Sequence, residues 1–387
     1  MLRHMNAVNT LRVLRQMGSC SRADIVRALG LAAPTVTNVV KDLVAANLVL
    51  PSGEGKSKGG RPPDIIRFNA AHGCLAGVQI TSSKLAFLVT DLDGTVLCRH
   101  SVKILRGQSS PERVCRLIQE TMREVLKQLR IARKQLLALV VGVPAVTNVQ
   151  DGSVVFVSTM DDWRSVPLRT MLEKLFGCRI VIENDANLAA QGERYGGAAL
   201  DQDSFVYVSI GPNVSAGIVL QQQIHHGAQW CAGEIGYLRL PHLSRRKPTG
   251  QEFGELEELV TEFGLVQEWL STIAGSRPQT KKMTAREILD LANEGDADAL
   301  AVVRSRAQLI SDILINLSLI LNPGLILLGG EVGSHPAMLT AVRKELEGVE
   351  FAVTDVAAGT LGDEAVLWGA IALALEALPS ILIPDVA

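Results

Sequence analysis

Between Pro34 and Val44 the chain carries Thr35, Thr37, Asn38 and Lys41, small polar and cationic side chains that share one side of a helix. Such a set can meet duplex DNA. A carboxamide matches the edge of adenine and a hydroxyl bonds to base edges, whereas a lysine pairs with phosphate and adds affinity more than sequence preference. A second set follows in Ser52-Gly-Glu-Gly-Lys-Ser-Lys-Gly-Gly-Arg-Pro-Pro63. Lys58 and Arg61 supply charge, Gly59 and Gly60 keep the backbone slim, and Pro62-Pro63 holds the chain extended. An extended Gly-Arg-Pro segment fits a narrow A·T minor groove, whose negative potential attracts arginine.

The elements needed to position these residues are readable. Leu11, Leu14 and Met17 recur at helical spacing over residues 6–17, and Gly18 ends that helix. Ser21-x-x-Asp24 resembles a capping box opening a short helix with Ile25, Val26 and Leu29 inward, stopped by Gly30. Pro34 suits the first turn of a third helix, with Val36, Val39, Val40, Leu43 and Val44 as its buried stripe. This order predicts a helix-turn-helix whose third helix enters the major groove. Strands Leu48–Pro51 and Ile65–Asn69 then flank the Gly-rich basic run as a wing. Alone, that run equally suits a solvated linker; its place after a helix-turn-helix and a strand favours the wing. Residues 1–70 hold ten Lys/Arg and four Asp/Glu, and the remainder 28 and 36. A basic head on an acidic body points the head at a polyanion.

With 387 residues, 47% of them hydrophobic, the chain can bury more than one core. Strands are predicted at Gly73–Ile80, Lys84–Asp91, Val96–Ile104, Leu136–Val143, Arg179–Glu183, Phe205–Ile210, Ala216–Leu220 and Leu325–Leu328. Helices are predicted at Pro111–Leu129, Leu168–Phe176, Ala186–Gly196, Glu255–Ile273, Thr284–Asn293, Ala297–Leu321, Met338–Glu347 and Asp363–Ala377. Three strands followed by helix-strand alternation, occurring twice, predicts two α/β lobes with a ligand cleft between them. The six cysteines form no CxxC pair, no apolar leader opens the chain, and Ala365–Leu375 is too short to span a bilayer. A cytoplasmic protein with no membrane partner is expected.

Val141-Gly-Val-Pro144, Ile182-Glu-Asn-Asp-Ala-Asn187, Ala232-Gly-Glu-Ile-Gly236, Leu321-Asn-Pro-Gly-Leu-Ile-Leu-Leu-Gly-Gly330 and Leu361-Gly-Asp-Glu-Ala365 stand in the order found in the ROK family of repressors, open reading frames and sugar kinases, which the chain resembles. The resemblance implies an N-terminal winged helix-turn-helix plus an actin-like, hexokinase-type two-lobed α/β body. It places the head at 1–70 and the body at 71–387, with lobes at about 71–185 plus a C-terminal return at 363–387, and at 186–362. It assigns Asn184, Asp185, Glu234 and Glu257 to sugar contacts, with Asp185 at the position of the kinases' catalytic base. Carboxylates and amides suit a polyol, because each bonds to adjacent hydroxyls. The helix start at Ala186 offers a structural alternative for one of the Asn184–Asp185 pair, as an N-cap.

Several family features are altered. The first phosphate loop, Asp-x-Gly-Gly-Thr in the kinases, reads Gln79-Ile-Thr-Ser-Ser83, and the second reads Gly211-Pro-Asn-Val-Ser-Ala-Gly217. Both lose the bare backbone amides that cradle phosphate, so ATP binding and catalysis are not expected. Gly329-Gly330 reads as a tight strand-to-helix turn. The family's Glu-x-Gly-His becomes Glu234-Ile-Gly-Tyr237, and its cysteine run becomes Pro248-Thr-Gly-Gln-Glu-Phe-Gly-Glu-Leu-Glu257. Zinc needs about four N or S donors, so no zinc is expected. His225, His226 and His242 read as exposed loop residues. Tyr237 remains able to bond a sugar hydroxyl.

These readings predict a transcriptional repressor that binds operator DNA and answers to a sugar or sugar derivative. It would act as a homodimer or homotetramer packed through helices 297–321 and 363–377. A sugar kinase with a DNA-binding head, and a DNA-binding dimer that has lost its ligand, are the alternatives.

Overall fold

The computed structural model describes residues 2–54, 62–105, 107–156, 160, 162–240, 254–274, 282–350 and 354–383. Lys58, Gly60, Arg61 and His242 lie outside these residues.

The N-terminal part is three helices and a small antiparallel sheet. Helix α1 (Leu2–Met17) starts four residues before its first predicted position. Strand β1 (Cys20–Ser21) leads into α2 (Arg22–Leu29) and α3 (Ala33–Ala45), followed by β2 (Val49–Glu54) and β3 (Asp64–Phe68) in the sheet order β1-β3-β2. Ser21 and Asp24 form the capping box, each side chain bonding to the other's backbone N–H. Gly30 closes α2 at φ +64, a left-handed conformation that glycine adopts without a Cβ clash. Pro34 sits in the first turn of α3. Val36, Val39, Val40 and Leu43 are buried with Leu11, Leu14 and Ile25, but Val44 is 40% exposed, because it lies one step past the edge of the stripe.

The body holds two five-stranded mixed sheets. The first contains β4 (Cys74–Ile80), β5 (Lys84–Asp91), β6 (Val96–Lys103), β7 (Leu136–Val143) and β10 (Arg179–Asn184), in the order β10-β7-β4-β5-β6. Between β7 and β10 lie a hairpin, β8 (Val146–Asn148) with β9 (Ser153–Phe156), and α5 (Leu168–Glu173). Strand β7 is apolar almost throughout because both its faces are covered. Leu139 and Val141 pack toward the core of α4 (Pro111–Gln128) and α5, while Ala138 and Val140 pack toward the C-terminal helix.

The second sheet contains β11 (Phe205–Ile210), β12 (Val214–Leu220) and β13 (Gln223–Ile224), with β14 (Leu325–Gly329) and β15 (Val356–Ala358), in the order β13-β12-β11-β14-β15. Helix α6 (Asp185–Gly196) leads into it from the first sheet. Its outer face is covered by α7 (Glu255–Val260), α8 (Glu262–Thr272), α9 (Ala285–Asn293), α10 (Ala297–Leu321), α11 (Gly330–Gly333) and α12 (Pro336–Leu346). The predicted helix 255–273 breaks at Thr261, whose extended backbone (ψ 174) ends α7 and caps α8.

The last helix, α13 (Ala365–Leu382), continues past Pro379 and is longer than predicted. By length and composition it passes as membrane-spanning, yet most of it is buried against β4, β7 and α6. It is therefore a core element, not the subunit-packing surface predicted for 363–377. Helix α10 does carry exposed apolar side chains, Leu319 and Ile320.

Candidate functional site

On α3, Thr37, Asn38 and Lys41 are exposed on one face and Thr35 is half-buried beside them. The Thr37 hydroxyl donates to the Ala33 carbonyl at 2.9 Å, which leaves its lone pairs as acceptors. The opposite face of α3 is held in the head's apolar core, so the polar face is presented by packing and not by local polar contacts.

The body's site lies at the junction of its two sheets. A cleft of about 600 Å³ is lined by Asn184, Asp185, Glu234, Tyr237 and Glu257, so the structure brings together all five residues assigned to sugar. Strand β10 runs into α6 at this point. Asn184 is the N-cap: its Oδ1 accepts from the backbone N–H of Ala186 (2.8 Å) and of Asn187 (3.1 Å), and its Nδ2 donates to the Ala145 carbonyl (3.0 Å). Most of the Asn184 amide is thus committed to positioning, and Asp185 is the neighbour left facing the cleft. Glu234 reaches the cleft from the loop after β13, through the tight Gly233 (φ +89), where a Cβ would overlap the Ala216 carbonyl. Glu257 reaches it from the first turn of α7.

Three carboxyls here share one electrostatic state. Burial pushes Asp185 up to about 7, Glu234 to about 7 and Glu257 to about 7. Glu234 adds to the rise at both Asp185 and Glu257. Burial, then the Glu257 and Glu234 charges, push the Tyr237 phenol up to about 12, so it stays a hydroxyl donor at neutral pH. The set therefore offers several strong acceptors and one hydroxyl, complementary to adjacent sugar hydroxyls.

The two loops matching the kinases' phosphate loops border the same cleft. In the first, the Thr81 hydroxyl accepts from the N–H groups of Ser83 (3.4 Å) and Lys84 (3.0 Å), and the Thr81 N–H donates to the Lys84 carbonyl at 3.0 Å. In the second, the Gly211 N–H donates to the Asn213 carbonyl at 3.0 Å and Pro212 has no N–H. These amides already have partners. Gly330 (φ +74) makes the tight turn after β14, and a Cβ there would overlap the Ile210 backbone. Packing accounts for that glycine without a nucleotide. Among the described residues no group of three or more His, Cys, Asp or Glu is arranged for a metal.

Two residues behind the site were missed. Glu183 is buried and accepts from the Asn184 N–H (2.8 Å) and Asn187 Nδ2 (3.0 Å). His226 Nε2 lies 2.8 Å from Glu183 Oε2 and its ring meets Trp230 edge-on. This corrects the reading of His226 as an exposed loop residue: it is half-buried, and the hydrogen bond to Glu183 raises its pKa. A signal was present, since a carboxylate ending a buried strand requires a donor from elsewhere in the chain.

Residues 75–377 match the ROK family. The chain is 24% identical over 388 residues to the xylose repressor of Caldicellulosiruptor bescii, covering 97% of this chain and 96% of that one. Its fold is similar to that of a ROK family transcriptional regulator described as a homolog of the Escherichia coli MLC protein (TM-score 0.79, 21% identity, 99% of this chain and 98% of that one). It is also similar to a ROK family glucokinase from Streptomyces griseus in complex with glucose and AMPPNP (TM-score 0.67, 24% identity, 78% and 99%). The body accordingly has the two-lobed, hexokinase-type architecture, and the chain belongs to the ROK family.

Proposed function

We propose that the protein is a cytoplasmic transcriptional repressor whose body binds a sugar and thereby changes the affinity of its head for operator DNA. Residues 1–70 act as a winged helix-turn-helix, with α3 as the recognition helix and the basic run around Lys58, Gly60 and Arg61 as the wing. Residues 71–387 sense the ligand and assemble two or four copies, so that paired heads read two half-sites. One observation carries the reading. In a single chain, an intact trio of acceptor carboxylates stands beside phosphate loops that bond the Thr81, Ser83, Lys84 and Gly211 amides internally and carry a proline at 212, and an exposed polar helix face precedes both. The similarity to a xylose repressor along nearly the whole chain supports the same conclusion.

Differential affinity of the sugar for two lobe arrangements is what shifts DNA binding. Neither ATP nor zinc takes part: the amides of Thr81, Ser83, Lys84 and Gly211 are bonded within the loops, Pro212 has none, and Tyr237 stands where the family places a histidine ligand. A kinase reading draws on Asp185 alone, whose carboxyl near 7 would suit a general base.

Fluorescence anisotropy with labelled duplex tests the reading. The protein should bind duplex with steep salt dependence, and Lys41→Ala should lower the salt slope by about one. Asn38→Ala should cost about 1–3 kcal/mol on a selected operator and relax preference there. No affinity for duplex at low salt, or sugar-dependent ATP hydrolysis, overturns it.

A further inference from the structure

The cleft draws its carboxyls from two sheets. Asp185 stands where β10 of the first sheet ends, and Glu234 follows β13 of the second. Beyond burial, the Glu234 charge raises Asp185, so the two lie close enough to repel when ionised. A ligand that uses both as acceptors needs them held together against that repulsion. One side-chain link joins the two segments, from His226 to Glu183, and neither residue lines the cleft.

We propose that His226 is a positioning residue: through Glu183 it clasps the loop bearing Glu234 to the strand end bearing Asn184 and Asp185, and so sets the spacing of the sugar-binding carboxyls. This inference rests on the sugar-sensing reading above. Three observations carry it. The first is that both oxygens of Glu183 are engaged. Oε2 lies 2.8 Å from His226 Nε2, while Oε1 accepts from the Asn184 N–H (2.8 Å) and from Asn187 Nδ2 (3.0 Å). A carboxylate only accepts, so His226 Nε2 carries the proton. Asn184 precedes Asp185 and Asn187 lies two residues past it, so the clasp acts on the turn that aims Asp185. Glu183 is 3% exposed, and without His226 its Oε2 would lose this partner.

The second is that His226 also holds its own loop. Its carbonyl accepts from the Ala232 N–H at 3.2 Å. The Glu234 N–H donates to the Cys231 carbonyl at 3.3 Å, and the Gly233 carbonyl accepts from the Ala216 N–H at 2.8 Å. Residues 226–234 thus form a closed loop, tied to Glu183 at one end and carrying Glu234 at the other.

The third is the backbone of that loop. Trp230 adopts φ +64, a left-handed conformation that a bulky side chain rarely takes. Its ring meets the His226 ring edge-on, with centroids 5.7 Å apart. Such a conformation persists only where its surroundings enforce it, and it gathers at ligand sites, where rigidity is part of binding.

Two measurements on the full-length protein test the proposal: isothermal titration at pH 8 with xylose, glucose and N-acetylglucosamine, and hydrogen exchange of the sugar-free protein read by mass spectrometry. With whichever sugar binds, His226→Leu should weaken binding about tenfold or more, although residue 226 does not line the cleft. His226→Gln, which keeps an N–H donor at similar reach, should stay within about threefold of the unaltered protein. His226→Asn, polar but too short to reach Glu183, should behave like His226→Leu and serves in its place if leucine is not tolerated. In His226→Leu, exchange should quicken about tenfold in both 182–188 and 226–236, and in His226→Gln in neither. Faster exchange confined to 226–236, unchanged affinity in His226→Leu and His226→Asn, or an equal loss in His226→Gln overturns this inference while leaving sugar sensing in place. No binding of any of the three sugars by the unaltered protein overturns both.

Discussion

Asp185 shows how a buried carboxyl in the cleft can work against the fold that carries it. Burial holds its carboxyl, with those of Glu234 and Glu257, near 7, well above the range of free carboxylates. A carboxyl whose folded pKa is raised keeps its proton longer in the folded state. The stability it confers is greatest at low pH and is lost as pH rises from the ordinary carboxylate range through about 7. His226, raised by Glu183, acts in the same direction, because its contribution fades as pH climbs through its elevated value. The sugar-free protein should therefore melt at a lower temperature at pH 8 than at pH 6, as scanning calorimetry can measure. Asp185→Asn should stabilise the protein at pH 8 by about 1–3 kcal/mol, flatten the slope and abolish sugar affinity. A destabilised Asp185→Asn at pH 8 would show that the site's hydrogen bonds outweigh its burial. Sugar affinity should fall as pH drops below about 7, since hydroxyls bond more strongly to ionised carboxylates.

At the scale of elements, the two lobes meet through α6 and α13, whose close approach is made by glycines. A Cβ on Gly369 would overlap the Leu188 carbonyl, and one on Gly192 would overlap the Ala365 carbonyl. Gly369→Ala should cost about 1–3 kcal/mol, read as a lowered denaturation midpoint, because the helices must separate to admit a methyl group into packed backbone. Some elements were readable because their signals are local. Ser21 with Asp24 and Thr284 with Glu287 both form their capping boxes. The break between α7 and α8 was not readable in this way, because Thr261 suits a helix interior well enough in sequence. The bend is imposed by packing, and Gly264 marks it: a Cβ there would overlap the carbonyls of Glu258 and Leu259.

Across the whole molecule, Arg15 connects head and body. Its Nη1 donates to the Leu375 carbonyl of α13 at 3.3 Å, its Nε lies 3.8 Å from Asp93, and its guanidinium sits 5.9 Å from the Phe68 ring centroid. Glu376, next along α13, accepts from Gln191 and Arg194 in the last turns of α6, the helix whose first residue is Asp185. One helix thus runs from the ligand cleft to the helix that holds the head. Arg15→Met should lower stability by about 1–3 kcal/mol and should bring the operator affinities of sugar-bound and sugar-free protein together. Calorimetry and anisotropy with and without sugar measure both. A full sugar response in that variant would place the coupling elsewhere.

The sequence alone determined the longer helices and strands and their order, but not the short β1, β8, β9, β13, β15 and α11 or the break between α7 and α8, because helical spacing, alternation, caps and glycine stops act over a few residues. It also singled out Asn184, Asp185, Glu234, Tyr237 and Glu257, which the structure gathers along one cleft. Only the tertiary structure decided which groups are free to act. It committed Asn184 to capping α6, gave His226 to Glu183 and drew α13 into the core. Those outcomes depend on which distant segments enclose a side chain, and burial sets both the cost of a charge and the need for a hydrogen bond.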